Sequence, residues 1–347
     1  MTAPLLEVRD LHKHYPVRGG IFSRTVGTVR AVAGVSLTVQ AGQTLGLVGE
    51  SGCGKSTLGR TLMRLEEPTS GQVLFDGRDL AHASGDALFK LRREMQMVFQ
   101  DPYSSLNPRL TVGEIVREPM LVHGMGSKAE QVQRVRELLS TVGLGADALQ
   151  RYPSEFSGGQ RQRIGVARAL SLNPRLVIAD EPVSALDVSV QSQVLNLMVK
   201  LQRERGLAYV FISHDLSVVE HVSDTVAIMY LGRIVEMGPV RRVFDHPAHP
   251  YTRALMQAIP SGNPRQRRAS VPLTGEAPSP MAVRPGCAFA SRCPHAIDAC
   301  RQTVPALEPV GPAAAGTQLH AVACIRRDEI AAQAVEAVVA APQPQGT

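Results

Sequence analysis

One nine-residue segment, Gly49-Glu50-Ser51-Gly52-Cys53-Gly54-Lys55-Ser56-Thr57, limits what this chain can fold into more than any other. It fits the pattern G-x-x-x-x-G-K-[ST], and its flanks are those the pattern requires. Before it, Thr44–Val48 is a short apolar run that reads as a buried strand; after it, Lys55 to Leu65 repeats at helical spacing. A glycine-rich turn between strand and helix lets backbone N–H groups curl around phosphate oxygens, and the helix N-terminus adds positive potential. Lys55 is placed to reach the β- and γ-phosphates of a nucleotide, and the Ser56 hydroxyl to hold Mg²⁺. Gly49, Ser51, Gly52, Cys53, Gly54 and Thr57 complete the phosphate-binding set. Cys53 reads foremost as a small residue that suits a tight loop.

The rest of the chain supplies a sheet for this loop. Leu5–Val8 and Ser36–Val39 alternate apolar and polar residues as half-buried strands do. Between them Val17 to Arg24 is a basic, glycine-rich insertion that reads as a loop. Val73–Phe75, Gln96–Phe99, Leu176–Ala179 and Ala208–Ile212 read as further strands, with a helix over Val190–Glu204. Thr111–His123, Glu130–Val142 and Gly158–Leu170 read as helices inserted between two parts of the sheet. Strands alternating with helices indicate a parallel sheet covered on both faces.

Two more segments carry chemistry. Leu176-Val177-Ile178-Ala179-Asp180-Glu181 delivers two carboxylates at a strand's C-terminal end, where open α/β sheets bind ligands. Asp180 is expected to hold Mg²⁺, and Glu181 to polarise an attacking water as general base. Phe156-Ser157-Gly158-Gly159-Gln160-Arg161 opens a helix that Ser157 would cap, its glycines exposing the first N–H groups. One nucleotide rarely needs two such helix ends, so the second is expected to serve a nucleotide held by another chain.

Composition narrows the field. Trp is absent and aromatic residues are 4% of the chain, which excludes an aromatic platform for single-stranded nucleic acid. The +6 net charge is scattered apart from small clusters such as Arg265-Gln266-Arg267-Arg268, and no nucleic-acid motif accompanies it. No stretch reaches the roughly 18 to 20 apolar residues that span a bilayer. Met1–Asp10 lacks a signal core, so the chain is expected to stay in the cytoplasm and meet a membrane through partners. Past Pro260 the composition turns to Pro, Ser, Gly and Arg, and four of the five cysteines follow, Cys287, Cys293, Cys300 and Cys324. Four thiolates suit an iron–sulfur cluster or zinc, though the spacing lacks the paired C-x₂-C of structural zinc sites; unliganded cysteines are the third reading.

These motifs together resemble an ATP-binding cassette (ABC) subunit over roughly residues 5 to 260. Ser157-Gly158-Gly159-Gln160-Arg161 resembles the family's signature motif, with Phe156 where Leu is commoner. Gln100 in Val98-Phe99-Gln100-Asp101-Pro102 resembles the Q-loop, implying contact with Mg²⁺ and the water. Ser184-Ala185-Leu186-Asp187 resembles the D-loop, and His214 in Ile212-Ser213-His214-Asp215 the switch histidine at the γ-phosphate. Tyr15 sits where the family stacks a ring on adenine. The resemblance implies a P-loop NTPase core with an antiparallel β subdomain, a helical insert and a small Cys-rich C-terminal extension. The expected division is 1–260 for the nucleotide-binding domain, its helical part about 101–170. Linker and Cys-rich extension follow over 261–327, then a flexible tail over 328–347. Two such domains facing head to tail would each hold ATP between one P-loop and the partner's Ser157-type helix end.

A finer resemblance points to dipeptide and oligopeptide importers. It rests on Asp101-Pro102-Tyr103-Ser104-Ser105-Leu106-Asn107-Pro108, on the insertion Val17–Arg30 of their F-type subunit, on Pro250-Tyr251-Thr252-Arg253, and on Gly286-Cys287-Ala288-Phe289-Ala290-Ser291-Arg292-Cys293-Pro294. It implies an ATPase heterodimer on the cytoplasmic face of the inner membrane, with two permease subunits and an extracytoplasmic solute-binding protein. It favours a [4Fe-4S] cluster at the four cysteines over zinc, with Arg292, His295 and His320 near it. Nickel and glutathione importers share much of the pattern and remain alternatives. A non-transport ABC ATPase usually carries two cassettes or a long coiled coil, and neither is present.

Overall fold

A computed structural model describes residues 3–19, 24–258, 278–279, 281, 285–310 and 319–330. Most of the expected linker, the Arg265–Arg268 cluster and all but the start of the expected flexible tail lie outside these residues. Two strands open the chain, β1 (Leu6–Gly19) and β2 (Arg24–Val39), paired antiparallel along their lengths. The insertion expected as a loop from Val17 is thus largely strand: Val17 pairs with Gly27, and Gly19 with Arg24. Backbone pairing supplies order there that the side-chain pattern does not announce.

β3 (Thr44–Val48) leads through the glycine-rich turn into α1 (Lys55–Leu62). That helix stops short of Leu65 because Arg64 takes a φ of 48° and the Leu65 N–H returns to the Arg60 carbonyl at 2.9 Å. β4 (Ser70–Phe75), β5 (Arg78–Asp79), α2 (Gly85–Glu94) and β6 (Met95–Val98) follow. Next come the inserted helices α3 (Val112–Val122), α4 (Lys128–Thr141) and α5 (Gly158–Ala169). All three begin in a capping box, closed by Thr111 with Glu114, Ser127 with Glu130, and Ser157 with Gln160.

The chain then returns to the sheet with β7 (Leu176–Asp180), α6 (Val188–Arg205), β8 (Ala208–Ser213), α7 (Leu216–Val222), β9 (Thr225–Tyr230) and β10 (Arg233–Pro239). After α8 (Val240–Asp245) and α9 (Pro250–Ala258) come α10 (Asp298–Gln302), β11 (Glu308–Pro309) and β12 (Ala321–Val322). The described strands form two sheets. One is antiparallel, ordered β2-β1-β4-β5; the other runs β11-β12-β10-β9-β3-β8-β7-β6 and is parallel from β9 to β6.

The parallel strands are buried on both faces, so their residues alternate between two cores. Leu176, Ile178, Val210 and Ile212 join the core shared with the antiparallel sheet. Val177, Ala179, Tyr209 and Phe211 join the core shared with the inserted helices. This places the ends of β3, β6, β7 and β8 along one carboxyl edge, with the antiparallel sheet on one side and the inserted helices on the other. Among the described residues no helix is long and apolar enough to cross a membrane.

Candidate functional site

The turn after β3 is shaped by what a side chain would strike. Gly54 has a φ of 108°, and a Cβ there would overlap the Ala31 carbonyl oxygen, so glycine alone fits. A Cβ on Gly49 would overlap the Met229 carbonyl oxygen. The turn bends around Lys55, which is buried and donates from Nζ to the carbonyls of Gly49 (2.7 Å) and Glu50 (3.1 Å). Cys53 is buried in the same turn, and burial raises its thiol pKa. The Gly232 N–H donates to the Cys53 carbonyl at 2.8 Å, pinning the turn to the β9–β10 corner.

The carboxylates arrive at the end of β7. Ser56 Oγ donates to Asp180 Oδ1 at 2.8 Å, so the two oxygens expected to hold Mg²⁺ meet at the foot of the turn. Burial pushes the Asp180 carboxyl up, and the Ser56 bond opposes that. Both are hard oxygen donors, the chemistry Mg²⁺ prefers. Glu181, one residue on, has a φ of 44°, a left-handed conformation uncommon outside glycine. Its N–H donates to the Ile212 carbonyl at 2.9 Å and holds the turn. Its Oε2 accepts from Gln100 Nε2 at 3.0 Å and lies 3.3 Å from His214 Nδ1. Three residues that follow β6, β7 and β8 thus meet at one carboxylate oxygen.

A cleft of about 330 Å³ lies over the turn. Tyr15, Ser51, Gly52, Cys53, Gly54, Lys55, Ser56, Thr57, Gln100 and Glu181 line it. Val29, Arg30, Ala31, Leu231 and Gly232 also line it and had no motif to announce them. Arg30 comes there because β2 pairs it with His14, beside Tyr15; no spacing in the sequence encodes that register. Lys13 Nζ lies 4.8 Å from the centre of the Tyr15 ring.

Ser157, Gly158, Gly159, Gln160 and Asp187 do not line this cleft. Ser157 caps α5, its Oγ accepting from the Gln160 N–H at 3.3 Å while Gln160 Oε1 accepts from the Ser157 N–H at 3.0 Å. Ser157 and Gln160 are exposed, as is Asp187, the residue that precedes α6. Gly159 is buried because a Cβ would overlap Val190 of α6.

The four C-terminal cysteines border one small cavity with His249, Phe289 and His295. Burial pushes the Cys293 thiol up to about 11 and raises Cys287 and Cys324 as well. Of the basic residues expected nearby, only His295 lines the cavity. Arg292 reaches the Glu50 carboxylate instead, and His320 Nε2 lies 2.7 Å from the buried Glu236 Oε1. As the side chains stand, no group of three or more His, Cys, Asp or Glu among the described residues is arranged to hold a metal ion. The iron–sulfur expectation therefore gains no support from the geometry beyond the shared cavity.

Comparison with known proteins reads this arrangement. Residues 32–184 match the ABC transporter family, and residues 235–300 match the oligopeptide/dipeptide transporter C-terminal region. The probable peptide ABC transporter ATP-binding protein y4tS of Sinorhizobium fredii is 57% identical over 310 residues, 89% of this chain and 88% of that one. The chain belongs to the oligopeptide/dipeptide family of ABC transporter ATP-binding proteins. The oligopeptide transport ATP-binding protein AppF of Bacillus subtilis is 52% identical, covering 92% of this cassette and 96% of its own length. The dipeptide transport ATP-binding protein DppF of Escherichia coli is 51% identical, with coverages of 95% and 97%. Among solved structures, a dimeric ATP-binding cassette bound to ADP and Pi in a post-hydrolysis state superposes with a TM-score of 0.61 at 30% identity. It covers 68% of this chain and 99% of that one. An ABC ATPase fold and the ATP and Mg²⁺ it implies are thus shared with these relatives.

Proposed function

We propose that this cassette binds and hydrolyses MgATP to energise uptake of di- and oligopeptides through two permease subunits supplied by an extracytoplasmic solute-binding protein. The observation that carries the reading is the meeting of Gln100, Glu181 and His214 beside the cleft that Lys55 and Ser56 line. Lys55 exchanges its loop carbonyls for the β- and γ-phosphates. Ser56 and Asp180 would hold Mg²⁺, which would supply positive charge to offset that of the phosphates. Glu181 takes the proton of the attacking water, and Gln100 and His214 orient Glu181 and the γ-phosphate. Tyr15 stacks on the adenine.

The exposed capped end of α5, with Ser157, Gly158, Gly159 and Gln160, completes the site on a partner cassette, and Asp187 lines the same contact. ATP then holds two cassettes together, and loss of the γ-phosphate contacts releases them, a ligand-driven population shift. The partner is a second, different ATPase subunit, and the pair works at the cytoplasmic face of the inner membrane. The names of AppF and DppF favour peptides over nickel or glutathione as solute.

The four cysteines are the donor set a [4Fe-4S] cluster would use, and what supports this is that all four border one cavity. Cys287, Cys293, Cys300 and Cys324 would hold it, and it would staple a short segment as zinc would in the same place. The transport reading is tested by reconstituting the cassette with its permeases and following ATP hydrolysis as solutes are added. Di- or oligopeptides should stimulate hydrolysis. Stimulation by nickel or glutathione alone would assign the solute elsewhere.

A further inference from the structure

Arg292 belongs to the cysteine-bearing segment, one residue before Cys293, yet its guanidinium lies on Glu50, the second residue of the P-loop. Nη1 donates to Glu50 Oε2 at 3.0 Å and to Oε1 at 3.3 Å, and Nη2 donates to Oε1 at 3.3 Å. The Arg292 side chain is 8% exposed. A planar fork on a carboxylate fixes orientation as well as distance. Nη1 also donates to Tyr230 Oη at 3.4 Å.

A second arm reaches the same residue. Phe289, between Cys287 and Cys293, packs edge-on against Tyr230 with ring centres 5.4 Å apart and lies 5.5 Å from Tyr251. Tyr251 Oη accepts from the Glu50 N–H at 3.0 Å. Glu50 is therefore held by its carboxylate and by its N–H, both from residues tied to the cysteine segment. Its carbonyl, in turn, accepts from Lys55 Nζ at 3.1 Å. Arg292 Nε is buried with no partner among the described residues.

We propose that Arg292 is a positioning residue for nucleotide binding: by holding Glu50 it sets the turn that presents Lys55, and it couples nucleotide affinity to the state of the neighbouring four-cysteine site. This rests on the ATP reading of the cleft and not on whether the thiols carry a cluster, zinc or neither. The coupling is reciprocal, as linkage requires: what restrains Cys293 restrains Glu50, and what occupies the P-loop restrains Cys293.

The test uses the full-length cassette and its Arg292→Gln, Arg292→Lys and Glu50→Gln variants, with MgADP as the probe. Arg292→Gln should raise the MgADP Kd about tenfold, in the range of ordinary allosteric couplings. Glu50→Gln should do the same, and the double variant no more than either. Arg292→Lys keeps the charge without the fork and should fall between. The second readout is iodoacetamide alkylation of Cys293, followed on its own peptide; the rate reports release of that thiol to solvent, ligated or not. MgADP should slow it several-fold in the wild type and not in Arg292→Gln. A lower Tm in Arg292→Gln, with wild-type Kd and wild-type protection of Cys293, would make Arg292 merely structural and overturn the proposal. Failure of the wild type to bind nucleotide would remove the ATP reading, and this proposal with it.

Discussion

Glu181 holds a left-handed backbone (φ of 44°) at the end of an otherwise regular strand, and such strain persists where surrounding contacts over-determine it. The Ile212 carbonyl, Gln100 and His214 supply those contacts and aim the carboxylate at the cleft. His214 is 56% exposed on its side chain, so it contributes little to folding. His214→Ala should keep ATP binding and Tm near wild type while lowering kcat about 10²-fold, the scale of a lost acid–base or orienting group; rapid-quench hydrolysis with a binding titration separates the two. Cys53 is a contrasting residue. Burial keeps it a thiol, so iodoacetamide at pH 8 should label it far more slowly than a free cysteine, read by peptide mapping. The P-loop and the Asp180-Glu181 pair were legible in the sequence because each motif is contiguous. Arg30, Gly232 and Arg292 were not, because strand register and a reach across 242 residues bring them to the cleft and to Glu50.

At the scale of elements, α5 combines a local device with an open end. Ser157 closes a capping box yet stays exposed, so the helix N-terminus is open in the way the proposed pairing of cassettes requires. Ser157→Ala should lower stability by about 1 kcal/mol, the usual worth of a cap, and should weaken ATP-dependent pairing of cassettes in sedimentation. Gly159 instead serves the contact with α6. A Cβ there would overlap Val190, so Gly159→Ala should cost roughly 1 to 3 kcal/mol by overpacking, and Val190→Ala in the same chain should restore most of it. Denaturant unfolding of the two single variants and the double checks this. The inserted helices α3, α4 and α5 were legible within a few residues because their caps are written locally in Thr111, Ser127 and Ser157, whereas the short helices α7 to α10 were not. The β1–β2 extension past Val17 was not, since glycines and arginines there carry no alternating pattern and pairing alone makes the strand.

Across the whole molecule, the cysteine segment is joined to the antiparallel edge of the larger sheet. β12 pairs with β10, and the buried Glu236 accepts from the N–H groups of Ala248 (2.8 Å) and His249 (2.9 Å) beside His320. Burial pushes His249 down to about 4, so it stays neutral and its Nδ1 accepts from the Tyr251 N–H. That the four cysteines would share a cavity was suggested only by their clustering in sequence; which groups face it depends on this docking. Protein purified without air should carry about four irons and four sulfides per chain if the cubane reading holds. Changing Cys287, Cys293, Cys300 and Cys324 to Ser should remove them, and one zinc per chain would reassign the site. Glu181→Gln separates ATP binding from ATP hydrolysis at the proposed site. Its ATP binding and its release of Pi should be measured side by side with the wild type, in the presence of the partner cassette. ATP should be bound and retained, cassettes should stay paired, and turnover should fall by at least about 10², the scale expected for a lost general base. Near-normal Pi release from Glu181→Gln would contradict that role for Glu181.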